Sequence, residues 1–175
     1  MSKRAARSDF EKAANIIRDC GGRVVGRTRL QKIAYLLELA GVGEGFHFEY
    51  RHYGPYSEDL TSATQLGELF ETLQTEERRA SWGGAYSVYT ANRTDDEVSI
   101  PARKSLARIA VDADPIELEL AATAAFLQSE GVQSAWEETK RRKPEKASSG
   151  RIARAKELYA KLQDIETPRR LPKVG

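Results

Sequence analysis

Gly26 to Leu60, GRTRLQKIAYLLELAGVGEGFHFEYRHYGPYSEDL, decides the fold, because it reads as a helix, a strand and a second helix start in immediate succession. Thr28 and Gln31 stand in capping-box spacing, with the threonine oxygen placed for an orphan amide of the first turn and the glutamine for the cap's own N–H. Behind them Leu30, Ile33, Ala34 and Leu37 fall at i, i+3, i+4 and i+7, one apolar stripe that Gly41 ends. The other side of that helix is basic, through Arg29 and Lys32. From Phe46 onward the residues alternate, so Phe46, Phe48 and Tyr50 face inward and His47, Glu49 and Arg51 outward, where Glu49 and Arg51 are placed to pair. The strand, 46–53, stops at Tyr53-Gly54-Pro55-Tyr56-Ser57, whose proline has no N–H for a ladder and suits the first turn of a helix.

Upstream, Ser8-Asp9-Phe10-Glu11 is a second capping box and predicts a helix to about Asp19 that buries Phe10, Ala13, Ala14 and Ile17 and ends at Gly21-Gly22. Downstream, Leu60, Ala63, Leu66, Phe70 and Leu73 form a stripe that reads as core. Arg78–Trp82 and Ala85–Thr90 flank Gly83-Gly84, a glycine pair suited to a β-hairpin turn, and Asp95-Asp96 predicts a further turn. A helix from Pro101 to about Val111 follows. Asp114-Pro115-Ile116-Glu117 opens the next with a cap, a proline at the first position and an acid in the first turn. That helix, to about Gln128, is apolar nearly all round and predicts the buried centre of the molecule. A short helix then carries Val132, Ala135 and Trp136. Lys140 to Pro144 forms a charged connection, and Ser149 is placed to cap a last helix with Ile152, Ala155, Tyr159 and Leu162 on one side. The whole is an α+β domain, predominantly α-helical, with six or seven helices around a small antiparallel sheet made of the 46–53 strand and the hairpin at about 78–90. Its proportions are winged-helix-like, although the strand position differs. Residues 1–166 form a single compact domain and 167–175, with two prolines and little to bury, a flexible basic tail.

The 175 residues suffice for a real core. No apolar run approaches bilayer length and the Met-Ser-Lys-Arg-Ala-Ala-Arg start lacks the apolar stretch of a signal peptide, so a cytoplasmic protein without membrane contact is expected. Cys20 stands alone and reads as a small buried apolar residue. Net charge is +2, but residues 140–175 hold twelve bases against four acids, and 52–138 hold sixteen acids against six bases. This asymmetry fits intramolecular attraction, a docking surface for a charged partner or a nucleic-acid contact, and for the C-terminal helix and tail plain solvated charge reads at least as well. The two histidines, His47 and His52, fall on opposite strand faces and cannot share a metal there. The common metal, nucleotide-loop and nucleophile-elbow motifs are absent, so neither a cofactor nor a metal is expected.

Taken together, G-R-T-x-L-Q-K-x-x-Y-L-L from Gly26 to Leu37 and Y-G-P-Y-S-x-x-L from Tyr53 to Leu60 resemble the YwgA-like proteins and, more distantly, the SocA-type or Panacea antitoxin-domain family of bacteria, archaea and phages. The likeness covers Gly26 to about Leu73, with a looser echo in Lys143-Pro144 and Ile152 to Leu162. It implies a non-enzymatic module of antitoxin-like or adaptor type that binds, and neutralises or delivers, a partner protein, often a toxin encoded beside it. The residues put Arg51, His52, Tyr53 and Tyr56 forward as the partner-binding surface, since tyrosines give wide rigid contact with a polar tip. For Tyr53 and Tyr56 a purely structural part in the strand-to-helix corner stands beside that reading. The second reading is a winged-helix-like DNA-binding regulator using Arg27, Arg29, Lys32, Arg78 and Arg79, with Arg23 and the basic end of the chain drawn into the same reading. The third is a small hydrolase built around Glu49, His52 and Tyr53.

Overall fold

The computed structural model describes residues 8–94 and 100–175, which contain seven helices and five short strands. In chain order these are α1 (Asp9–Asp19), β1 (Arg23–Val25), α2 (Arg27–Leu39), β2 (Glu49–Arg51), β3 (Gly54–Tyr56), α3 (Glu58–Leu69), β4 (Leu73–Arg79), β5 (Ala85–Ala91), α4 (Pro101–Asp112), α5 (Pro115–Ser129), α6 (Ala135–Arg142) and α7 (Arg151–Gln163). The chain is α+β and predominantly helical, as its patterning predicts. No described helix is long and apolar enough to cross a membrane. The turn expected at Asp95-Asp96 lies outside the described residues.

Helix α5 is the centre. Asp114 accepts from the amides of Ile116 and Glu117, Pro115 takes the first position, and Leu118 through Leu127 are buried without interruption. Helices α2, α6 and α7 lie against it, α4 packs on α2 and α7, and α1 packs on α3. Cys20 is buried at the end of α1, where burial pushes its thiol up to about 12.

Several expectations are corrected. The strand near residue 50 does not join the 78–90 hairpin. It folds back on itself as an antiparallel ribbon, pairing Glu49 with Tyr56, Tyr50 with Pro55 and Arg51 with Gly54, so His52 and Tyr53 form the tip of a tight hairpin. Pro55 therefore lies in β3 rather than in a helical turn, tolerated because the ribbon has only two strands and a free edge. Ser57 begins α3, its hydroxyl accepting from the Leu60 amide. The three-stranded sheet is ordered β1-β5-β4 and includes Arg23–Val25, a segment too short to show alternation. Its hairpin is longer than predicted. Ala80 donates to Gly84, Gly83 takes φ +91°, and the Trp82 ring lies over Gly84 where any side chain would collide with it.

On α3 the buried residues are Leu60, Ala63, Thr64 and Gly67, one stripe at i, i+3, i+4 and i+7. Small residues there bring α3 close to its neighbours and rotate Leu66, Leu69 (72% exposed) and Phe70 outward, against the core reading of Leu66 and Phe70. Phe70 keeps one aromatic partner, stacking on the half-buried Phe10 with centroids 4.8 Å apart. The two capping boxes do not form: neither Ser8 nor the start of α2, capped by Gly26, makes a side-chain cap bond. Gly150, not Ser149, precedes α7. Residues 167–175, read as loose, lie packed against the helices. Leu171 is 3% exposed, Tyr159 donates to the Pro172 carbonyl at 2.6 Å, Arg169 donates from its amide to Ala40, and the Gly175 carbonyl accepts from the Trp136 amide.

Candidate functional site

The conspicuous construction is the corner at 52–57, assembled from beneath by side chains of α2, α5 and the α6–α7 connection. Gln31, at the position read as a capping residue, is instead buried and clasps Ser57 with both ends of its amide. It accepts from the Ser57 N–H at 2.8 Å and donates to the Ser57 carbonyl at 3.0 Å. Lys32, read as a basic surface residue, is 1% exposed and donates its ammonium to the Pro55 carbonyl at 2.7 Å. Lys143, read as part of a charged connection, is also buried and reaches the His52 carbonyl at 3.3 Å and Glu119 at 2.8 Å. Lys146 donates to both oxygens of Glu119, each at 2.9 Å. Burial drives the Lys32 ammonium down to about 7, a fall that Glu119 opposes and that Lys143 and Lys146 deepen. Gly54 completes the corner with φ +93°, and a Cβ there would run into the buried Thr123 hydroxyl of α5.

Above this support three tyrosines each meet a cation: Arg142 over Tyr50 at 4.9 Å, Lys146 over Tyr53 at 4.6 Å and Arg51 over Tyr56 at 5.2 Å. Tyr53 is 52% exposed, with the exposed His52 ring edge-on to it at 4.8 Å. Tyr56 is half-buried and its hydroxyl shares a hydrogen bond with Thr61 at 2.8 Å, which is the structural role in the corner. Arg51 is exposed and bridges Glu49, as its spacing predicts, and Glu58 at 3.0 Å. The four residues put forward for partner binding therefore come together, with His52 and Tyr53 outermost. Scanning against family models returns no match, and searching curated proteins finds no relative.

The residues of the nucleic-acid reading are not brought together. Lys32 is buried in the corner. Arg29 is spent on backbone carbonyls, donating to Val25 at 3.1 Å, Val111 at 2.7 Å and Ala113 at 2.6 Å, so it closes the C-terminus of α4. Arg27 is exposed and interacts with Tyr89, which raises its already high pKa. Arg78 pairs with Glu76 at 2.9 Å on the hairpin, beside the exposed Arg79. Sequence reasoning missed Gln31, Glu119, Thr123 and Lys143 as corner supports. The signal for Gln31 and Lys32 was present, since both stand in the quoted motif, but their partners lie 26 and 23 residues away.

Proposed function

We propose that the chain is a non-enzymatic protein-interaction module of antitoxin-like or adaptor type, which presents the hairpin tip at His52-Tyr53, flanked by Arg51 and Tyr56, to a partner protein in the cytoplasm and neutralises or delivers it. One observation carries this reading: Tyr53 stands half in solvent between backbone groups that are held from inside the protein, the His52 carbonyl by Lys143 and the Pro55 carbonyl by Lys32. The fold has no need of a large aromatic ring held in the open, whereas a binding surface gains from one already fixed, because the cost of ordering it has been met in folding. Lys146 beneath the ring and His52 beside it hold its orientation and add polar contacts around an apolar face, the composition of interface anchors. The motif likeness of Leu30-Gln31-Lys32 and Tyr53-Gly54-Pro55-Tyr56 to antitoxin-domain proteins supports the same reading, since these two halves are physically joined through Gln31 and Lys32.

The test is affinity capture from the source cell with the tagged full chain, nuclease-treated, comparing the natural sequence with Tyr53→Ala and with the surface control Lys161→Ala. One protein recovered in stoichiometric amount is expected, with Tyr53→Ala weakening it by roughly 30-fold, as for a hot-spot loss of about 2 kcal/mol. Recovery undiminished in Tyr53→Ala, with its circular dichroism unchanged, would remove the hairpin tip from the interface.

A further inference from the structure

Beyond the tyrosine corner, the long β4–β5 hairpin presents a bare strand edge. β4 ends the strand order β1-β5-β4, and Leu73 to Arg79 keep one register with Ala91 to Ala85, so no bulge turns the edge away. Proline and lysine, the usual guards of such an edge, are missing from its sequence. The direction of its backbone groups follows from the ladder. Gly26 donates to the Ser87 carbonyl from the β1 side at 2.8 Å, so Ser87 faces β1, and Glu77 opposite it points its N–H and C=O away from β5. Thr75 and Arg79, two residues to either side, point the same way. Among the described residues nothing bonds to the backbone of Thr75, Glu77 or Arg79 on that side. From Glu76 to Arg79 every residue is exposed, so the arm stands clear of the body on both faces.

The edge is complementary to itself. Glu76 and Arg78 lie on one face and Glu77 and Arg79 on the other, an acid two residues before a base each time. When two copies of β4 run antiparallel about a two-fold axis at Glu77, Glu76 of each faces Arg78 of the other, and Thr75 faces Arg79. The outward backbone groups then meet, with two hydrogen bonds at the Glu77 pair and two at each pairing of Thr75 with Arg79. The two Glu77 side chains also face each other, but each carboxylate is drawn back toward β5 by the Ser87 hydroxyl of its own chain. An axis at Arg78 would instead set two arginines opposite one another at the closer, non-bonded spacing, and an axis at Glu76 two glutamates.

The same register gathers the other exposed apolar residues. Apart from Tyr53, the large apolar side chains standing exposed are Leu66, Leu69, Phe70 and Trp82. Trp82, 78% exposed at the tip of the arm, is separated from its own α3 by roughly 20 Å of strand. Pairing about Glu77 carries it level with Thr72 of the second copy, immediately past the exposed Leu69 and Phe70, and the two-fold axis makes this contact twice. Arg79 arrives with it at the base of the other arm, where Glu68 and Glu71 line a cleft alongside Leu73 and Thr75. One symmetric contact therefore satisfies the bare edge, pairs its charges and covers both apolar patches.

We infer that this chain pairs with a second copy of itself through β4, joining the two sheets into one, with Trp82 of each seated against the end of the other's α3. The inference goes beyond the partner-protein reading and uses none of its residues. The test is sedimentation equilibrium of the full chain between about 2 and 200 µM. A dimer of twice 19.5 kDa is expected within this range. Glu77→Pro should abolish it with circular dichroism unchanged, because a proline on a free edge removes only an N–H that the monomer leaves unused. Trp82→Ala should raise the dissociation constant roughly 30-fold. Charge variants read the register: an equimolar mixture of Glu76→Arg and Arg78→Glu should pair at least 10-fold more tightly than either variant alone, since each finds its opposite charge only in the other. A natural chain still monomeric at 200 µM would overturn the inference, as would a dimer that survives Glu77→Pro or a mixture that pairs no better than its components. Tyr53→Ala should leave the dimer intact, so this inference and the partner-protein reading fail separately.

Discussion

Lys32 is the residue on which the corner's electrostatics turn. A lysine amine at 1% exposure, bonded to one carbonyl, has its charged form opposed by burial and only partly rescued by Glu119. Its folded pKa of about 7 lies below the ordinary lysine value near 10.5. The unfolded chain therefore binds more protons than the folded one between those limits, and this group makes the fold more stable as pH rises from about 7 toward 10. The slope approaches, at most, about 1.4 kcal/mol per pH unit. Lys32→Met should flatten the dependence between pH 7 and 9, measured as the difference between variant and natural chain in urea unfolding; an unchanged slope would place the titration elsewhere. Gly54 gives a second prediction at this scale. With φ +93° and the Thr123 hydroxyl where a Cβ would go, Gly54→Ala should cost about 1–3 kcal/mol. A melting temperature lower by several degrees in calorimetry, without loss of helix content at 20 °C, is the expected reading.

Between elements the joint that matters is α2 to α3 by way of Ser57. Gln31 bonds both backbone groups of Ser57 inside the protein, and although the carbonyl also accepts from the Thr61 amide, Gln31→Leu leaves the buried Ser57 N–H without a partner and should destabilise by about 1–3 kcal/mol. Hydrogen exchange at Ser57 and Leu60 should accelerate with it, and protection retained at both amides would show that another group holds the corner. This joint also shows how far the sequence could be read. The α5 start was legible because cap, proline and apolar run are all local, and the aromatic alternation at 46–50 places Phe46 inside and His47 and Glu49 outside, as found. Gln31 and Lys32 were not legible as buried supports, because a polar residue's burial depends on an acceptor supplied by a distant segment. The same holds for α3. Leu66 and Leu69 are more apolar than Ala63 and Gly67, yet the small pair sets the helix approach and so decides which side is inside. Of the candidate site, the grouping of Arg51, His52, Tyr53 and Tyr56 followed from the motif, whereas Glu119 and Lys143 beneath it did not, being supplied by segments far along the chain.

At the scale of the whole molecule the acidic middle and the basic end attract one another. Glu119 of α5 holds Lys143 and Lys146, and Glu117 two residues earlier holds Arg154 of α7 at 2.7 Å, so the opposed net charges of the two regions meet at defined pairs. These pairs differ in kind. Glu117 and Arg154 are partly solvated and contribute little. Glu119 and Lys143 are both buried, and their value lies mainly in the penalty for leaving one without the other. Glu119→Leu alone should therefore cost about 3–5 kcal/mol, since the buried Lys143 loses its carboxylate partner and the corner it supports through His52 loosens. Adding Lys143→Met should recover much of that loss, to within about 1–2 kcal/mol of the natural chain, because matched apolar groups replace a buried ion pair at little net expense. Urea unfolding of the four proteins of this double-mutant cycle reads the coupling directly. The double variant is expected to lose far less than the sum of the two single variants; simple additivity would mean that Glu119 and Lys143 do not depend on one another and that other contacts fasten the basic end to α5.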